Sequence, residues 1–391
     1  MREGWTYKRL GEVCESDLGK TLNSSKDTGE LRPYLCAINI LWDKIDFTTL
    51  KQTRFEESEL ERYTVRKGDL LICEGGDIGR AAIWDKDYSI QYQNALHRVR
   101  FTGNVAPRFC LYYFMHLKKS GILDGRYGKG ITIKHLVKSS LMSIPIPVAP
   151  IEPQQSIVAE LDKINELIGL KKSQLNDLDS LAQSIFYNMF GDPVENEKGW
   201  EVKKLGDLAL VKTGPFGSML HKEDYISNGI PLVNPMHMKD YQVKADMNFT
   251  VTREKAKELS NYLMKVNDVV FARRGDIGRC AVVSEKEDGY LCGTGSLFVR
   301  FIEKIEPLYI MYIIRADSFT NELVSKAKGA TMLNLNSNTI ASLLVPLPPL
   351  SLQQSFAARI TAIEQQKQRI SASLKDLETL LSSRMQYWFD N

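Results

Sequence analysis

No stretch of this chain is apolar over the roughly 20 residues that a membrane-spanning helix needs, so no bilayer crossing is expected. The opening Met1-Arg2-Glu3-Gly4-Trp5 has no apolar signal core, and secretion is not expected either. Cysteine is sparse: six residues, scattered, with no Cys-x-x-Cys pair and no histidine at ligand spacing. That predicts reduced thiols packed as small hydrophobes in a cytoplasmic protein, and it disfavours structural zinc. There is no Gly-x-x-x-x-Gly-Lys-Ser/Thr, no His-Glu-x-x-His and no Asn/Asp-Pro-Pro-aromatic tetrapeptide, so neither an ATP site, a zinc protease nor an amino-methyltransferase is visible. The five histidines show no motif spacing. Glu201-Val202-Lys203 has the Glu-x-Lys shape of some nuclease sites but no upstream Pro-Asp. Excess charge is lacking as well. A net charge of +3 permits nucleic-acid binding without arguing for it.

What is present is periodic. From Ile151 to Phe190 the residues Ile157, Leu161, Ile164, Ile168, Leu175, Leu178, Ala182, Ile185 and Met189 recur in steps of mostly three and four, with Lys171 interrupting. A period near 3.5 predicts one long helix with a seam for a coiled-coil partner. The pattern returns in Phe356, Ile360, Ile363, Ile370, Leu374, Leu377 and Leu381, with Lys367 as the polar interruption. Most positions of the first seam precede their counterparts by 199 residues, which makes the chain two copies of one unit. With 391 residues, two domains plus helices is the natural organisation.

The copies open on Gly4-Trp5 and Gly199-Trp200, each followed by Leu-Gly-Glu/Asp. The offset drifts from 195 to 198 at Pro33 and Pro231, then settles at 199 from Gly68 onward, and the extra residues are expected in loops. Gly76-Asp77-Ile78-Gly79-Arg80 matches Gly275-Asp276-Ile277-Gly278-Arg279 between apolar runs. This predicts a hairpin in each copy, its glycines supplying positive φ. A phosphate-cradling loop is the alternative, but it requires a helix directly after it and none is expected. Buried helices are expected over Pro107–Lys118 and Pro307–Arg315. Gly128 to Leu136, matching Ala327 to Leu335, reads as an exposed loop entering a short strand.

Proline tracts, Pro145 to Pro153 and Pro346 to Pro349, then suggest semi-rigid spacers before the long helices. Pro153 suits a first helical turn, and Ser351 with Gln354 suits a capping box. The cheapest burial of two apolar seams is against one another, in antiparallel sense, with pseudo-twofold symmetry. Lys171 and Lys367 would then either set register or snorkel. The expected fold is α+β: two globular α/β domains joined by two long helices in an antiparallel coiled coil.

This constellation resembles the specificity subunit of a type I restriction–modification system. The opening Gly-Trp-x-x-x-x-Leu-Gly-Asp/Glu, the Gly-Asp-Ile-Gly-Arg turns, Pro346-Leu347-Pro348-Pro349-Leu350-Ser351-Leu352-Gln353-Gln354-Ser355 and the junction Phe186-Tyr187-Asn188-Met189-Phe190-Gly191-Asp192-Pro193 carry the resemblance over essentially the whole chain. The resemblance implies target recognition domains over 1–150 and 191–348, with the coiled-coil helices over 151–190 and 349–391. It implies a non-catalytic chain that reads a bipartite site in double-stranded DNA, one half per domain, while the helices set the gap. Partners implied are two DNA adenine methyltransferase subunits and ATP-dependent restriction (nuclease/translocase) subunits. S-adenosylmethionine, ATP and magnesium would belong to those partners, with no cofactor or metal on this chain and no membrane involved.

Base readout favours Arg and Lys for guanine, and Asn and Gln for adenine. On that basis Lys20, Arg80, Gln93, Asn94 and Lys129 are the DNA-binding candidates of the first domain. Lys212, Ser218, Arg273, Arg274, Arg279, Lys328 and Asn334 are those of the second. Each suits a solvated or phosphate-contacting role as well as a base contact. Tyr92 and Phe216 suit either stacking on a displaced base or core packing. Two rival classes stay open, an enzyme with an unrecognised site and an assembly scaffold that reads no sequence.

Overall fold

The computed structural model describes residues 4–23, 27–216, 219–327 and 334–390. The chain divides into two compact units, Met1–Ser173 with Ser371–Asn391, and Gln174–Ile370.

Each unit is built on an antiparallel four-stranded sheet. In the first the order is Cys14–Leu18, Leu96–Phe101, Leu70–Cys73, Ala81–Ile83. In the second it is Ala209–Thr213, Ser296–Phe301, Val269–Ala272, Cys280–Val282. The inner strands Leu70–Cys73 and Val269–Ala272 read as unbroken apolar runs because both of their faces are covered. Leu70 and Ile72 face a core that includes Phe109 and Tyr112, whereas Leu71 and Cys73 face a second core around Trp84 and Tyr92. Val269 and Phe271, then Val270 and Ala272, divide in the same way. A second four-stranded sheet in each unit contains one parallel pairing, Glu30–Leu35 with Ile90–Tyr92 and Ile230–Val233 with Leu291–Cys292.

The expected helices are present as Pro107–Lys119 and Pro307–Arg315, each with proline in its first turn. The glycine turns close antiparallel hairpins, with φ of 73° and 78° at Gly76 and Gly79 and of 74° and 97° at Gly275 and Gly278. The repeat offset does not hold at 199 throughout. Leu96–Phe101 occupies the place of Ser296–Phe301, an offset of 200, so one further residue enters between the hairpin and this strand.

The proline tracts are strands rather than spacers. Pro145–Val148 pairs antiparallel with Thr6–Arg9, and Leu344–Leu347 with Glu201–Lys204. A two-stranded ladder draws donors only from alternate residues, and Pro145 and Pro147 share one parity, so the missing N–H groups cost the ribbon nothing.

The two long helices run Ile151–Phe190 and Leu350–Phe389. In the first unit Ile157, Leu161, Ile164 and Ile168 share a core with Leu381, Met385 and Phe389, and half-buried Leu374 and Leu377 pack against it. In the second unit Ala182 shares a core with Phe356, Ile360 and Ile363, flanked by half-buried Leu178. Ile370 is buried there and Leu175 half-buried. Beyond Ala182 the deeply buried side chains are Phe186 and Phe190, not the Ile185 and Met189 of the expected seam. The stripe turns because this end of the helix also packs on Tyr309 and Tyr312 of the globular layer. Lys367 is mostly buried, its ammonium 2.7 Å from Asp179 and 3.0 Å from Glu364. Among the described residues no helix is long and apolar enough to cross a membrane.

The expected capping box at Ser351 is not what starts the second helix, which opens one residue earlier at Leu350. Buried Gln353 does the work instead. Its Oε1 accepts from Glu306 N at 3.1 Å and its Nε2 donates to Pro348 O at 2.8 Å. Gln154 repeats the arrangement with Ala106 N at 2.8 Å and with Asn104 O and Ala149 O at 2.7 Å each.

Candidate nucleic-acid interface

At the end of each main sheet the glycine hairpin meets a neighbouring strand turn and the residues at His135 and Leu136, or at Asn334 and Leu335. In the first unit Glu74 N donates to Ala95 O at 2.9 Å, Leu136 N donates to Glu74 O, and Gly75 bridges to His135. Lys129 and His135 exchange two backbone hydrogen bonds, 2.9 and 2.8 Å, closing a loop between them. In the second unit Arg273 N donates to Gly295 O at 3.1 Å, Leu335 N donates to Arg273 O at 2.9 Å, and Arg274 bridges to Asn334. One backbone frame thus recurs, and Gln93, Asn94, Lys129, Arg273, Arg274 and Asn334 lie on or beside it.

Gln93 and Asn94 lie on the strand turn, half-buried, and Asn94 donates to Thr21 Oγ1 at 3.2 Å. Lys129 is exposed. Arg274 and Asn334 meet directly, Nε to Oδ1 at 3.3 Å. Lys212 stands half-buried on the edge strand, its Nζ 3.5 Å from Asn261 O. Ser218 and Lys328 lie outside the described residues.

Other candidates are engaged inside the protein. Lys20 is 5% exposed, and its ammonium is held 2.6 Å from Glu59, 3.5 Å from Asp27 and 2.9 Å from Arg54 O. Burial alone lowers the pKa of that amine, but the bonds and charges of Glu59 and Asp27 outweigh it and hold the value above the ordinary one. Arg80 donates to Ala37 O at 2.7 Å. Arg279 donates to Pro235 O at 3.2 Å and pairs with Asp276 at 2.5 Å. The arginine of both glycine turns therefore fastens the hairpin to an adjoining 3-10 turn. Tyr92 is core, its hydroxyl donating to Asp17 O. Phe216 is 59% exposed, with the guanidinium of Arg273 5.9 Å from its ring centre. Arg273 itself is 4% exposed and its Nε has no partner. Burial and the charge of Arg274 together lower its pKa.

Sequence reasoning missed Glu74 and His135, which pair at 3.1 Å at the same junction. The 199-residue offset sets Glu74 against Arg273, and that reversal of charge was the available signal. All six cysteines are free and buried, and burial pushes the thiols of Cys73 and Cys280 up to about 11 and about 12. Among the described residues no cluster of His, Cys, Asp or Glu is arranged to hold a metal ion.

The family model described as "Type I restriction modification DNA specificity domain" matches residues 2–180 and again 197–378. The MjaVIII specificity subunit of Methanocaldococcus jannaschii is 21% identical, over 97% of this chain and 92% of the relative. The MjaIX specificity subunit of the same organism is 26% identical, over 90% and 85%. Among solved structures, the S subunit of a type I restriction-modification system from M. genitalium superposes with a TM-score of 0.56 at 15% identity, over 97% and 95% of the two chains. A chain from a structural study of type I R-M complex assembly gives 0.63 at 18%, over 99% and 98%. With two copies of that domain filling nearly its whole length, the chain belongs to the type I restriction–modification specificity subunits.

Proposed function

We propose that this chain reads DNA for a type I restriction–modification complex, each target recognition domain (1–150 and 191–348) recognising one half of a bipartite site. The two long helices pair as an antiparallel coiled coil that relates the domains by a pseudo-twofold axis, sets the gap and docks two adenine methyltransferase subunits. Catalysis resides in partners: the methyltransferases with S-adenosylmethionine, and restriction subunits with ATP and magnesium.

The observation that carries this reading is one backbone frame, present twice, bearing unlike side chains at the junction described above. Identical readers would select a symmetric site, whereas unlike readers select two different half-sites. Antiparallel pairing is supported separately in each unit. In the first, Glu160 meets Arg384 and Trp388 while Lys172 meets Glu378. In the second, Asp179 meets Lys367 while Phe190 meets Phe356. Rising numbers on one helix meet falling numbers on the other.

The test is selection of bound duplexes from random DNA by the chain purified with its methyltransferase partner. Two unlike short motifs at fixed spacing are expected, and exchanging residues 1–150 for those of another specificity subunit should replace one motif only. A single contiguous motif would mean that one domain does not read. No enrichment by an intact complex would favour a scaffold.

A further inference from the structure

The recurring junction carries different side chains in the two domains, acidic in one and basic in the other. In the first domain Gly75 lies beside an imidazole: a Cβ built there would sit 3.4 Å from His135 Nδ1, in ordinary van der Waals contact. His135 in turn is hydrogen-bonded to Glu74 at 3.1 and 3.3 Å. In the second domain the glycine position holds Arg274 and the imidazole position holds the shorter Asn334, whose Oδ1 accepts from Arg274 Nε. The backbone bonds beneath are the same, Leu136 N to Glu74 O and Leu335 N to Arg273 O. The fold therefore requires neither side-chain set. Both sets reach solvent: the His135 side chain is 50% exposed and that of Glu74 20%, while Arg274 is half-buried. Among the described residues the Nη nitrogens of Arg274 make no hydrogen bond, so a planar fork of donors is left over.

Resting on the DNA-reading function proposed above, we infer that this junction is a base-reading point of each domain and makes the half-sites chemically unlike. Glu74, an acceptor only, takes a hydrogen bond from an exocyclic amino group, cytosine N4 or adenine N6, in the major groove. Arg274 donates to guanine O6 and N7, the acceptor pair that its geometry matches. His135 and Asn334 are positioning residues that orient the carboxylate and the guanidinium. Lys129 adjoins the same point through its backbone bonds to His135.

The experiment repeats the random-duplex selection with the methyltransferase complex carrying Arg274→Ala or Glu74→Gln. Arg274→Ala should relax one guanine position of one half-site about tenfold, the scale of a lost bidentate contact, leaving the other half-site and the spacing unchanged. Glu74→Gln should relax one cytosine or adenine position of the other half-site. If Arg274→Ala lowers the thermal midpoint of the complex, Arg274→Gln keeps a long polar side chain there and should still lose the guanine preference, because an amide matches adenine rather than guanine. Unchanged motifs in both variants overturn the inference, as does a uniform loss of affinity across all sequences, which marks phosphate contacts. Failure of the unsubstituted complex to enrich a bipartite motif would instead strike the proposed function itself.

Discussion

Arg100 grips Asp69 with two hydrogen bonds, Nε to Oδ1 at 2.8 Å and Nη2 to Oδ2 at 2.6 Å, and Asp69 also accepts from Arg66 N at 2.7 Å. Arg300 and Asp268 repeat the fork at 2.9 and 2.7 Å, with Lys265 N in the place of Arg66 N. Both carboxylates are buried and both guanidinia reach water. Replacing Asp69 by Ala strands a cation and a backbone donor. A fully buried pair broken on one side costs about 3–5 kcal/mol, and the solvent access of Arg100 brings the expected loss to about 2 kcal/mol. Asp268→Ala should cost a similar amount. Urea denaturation of each variant measures it, and losses within error of zero would contradict the assignment.

The glutamine clamps give a sharper contrast. Gln154→Ala removes three hydrogen bonds at a site closed to solvent. Leaving buried donors and acceptors unpaired costs about 1–3 kcal/mol, so a clear fall in the thermal midpoint is expected. Gln353→Ala should behave alike, whereas Ser351→Ala, at an exposed position inside the helix, should be nearly silent. If Ser351 proved the more sensitive, the capping-box reading of that helix start would be restored.

These clamps mark the boundary of what sequence reading reaches. The long helix from Ile151 to Phe190 was legible to the residue, because a 3.5-residue apolar period over 40 positions has few competitors. The glycine hairpins were legible because a turn between two apolar runs is a local event. The proline strands were misread. Proline is judged by the donor it lacks, and only the partner strand shows that the donor was not needed. Buried Gln154 looks like any polar residue of a first helical turn, and its three partners lie 5 to 50 positions away in sequence. Residue type placed half of the DNA-binding candidates on or beside the recurring junction. It did not separate Arg274, which faces outward, from Lys20, whose charge is spent on Glu59. Exposure is a property of packing, and it is invisible to composition.

His97 should make the first domain sensitive to mild acid. It is fully buried, hydrogen-bonded through Nε2 to Leu136 O at 2.7 Å, with Nδ1 unpartnered. Burial depresses its pKa, only partly opposed by the Leu136 carbonyl and the charge of Glu74, while Lys138 adds to the depression. Below about pH 6.5 the unfolded chain takes up a proton that the folded chain refuses, so stability falls with pH by at most about 1.4 kcal/mol per unit until the folded value is reached. The second domain carries Leu297 at the equivalent strand position. His97→Leu should therefore flatten the loss of stability between pH 7.5 and 5, even if it costs some stability at neutral pH through the orphaned carbonyl. Equal pH slopes in urea denaturation of the two proteins would rule out His97 as the source.

The helices should act as a ruler. A heptad inserted after Leu175, matched by one after Leu374, preserves the apolar period of both seams and adds about 10 Å of helix. At about 3.4 Å per base pair the gap between half-sites should grow by about three base pairs. Both half-site sequences should stay the same, because no residue of either recognition domain is altered. A heptad in one helix alone leaves its partner's seam unmatched and should cost stability without producing a defined new spacing. Selection from random duplexes with the methyltransferase complex reads gap and motifs together. A half-site that changed sequence on insertion would show that the helices do more than measure distance, and the proposed division of labour between helix and domain would have to be abandoned.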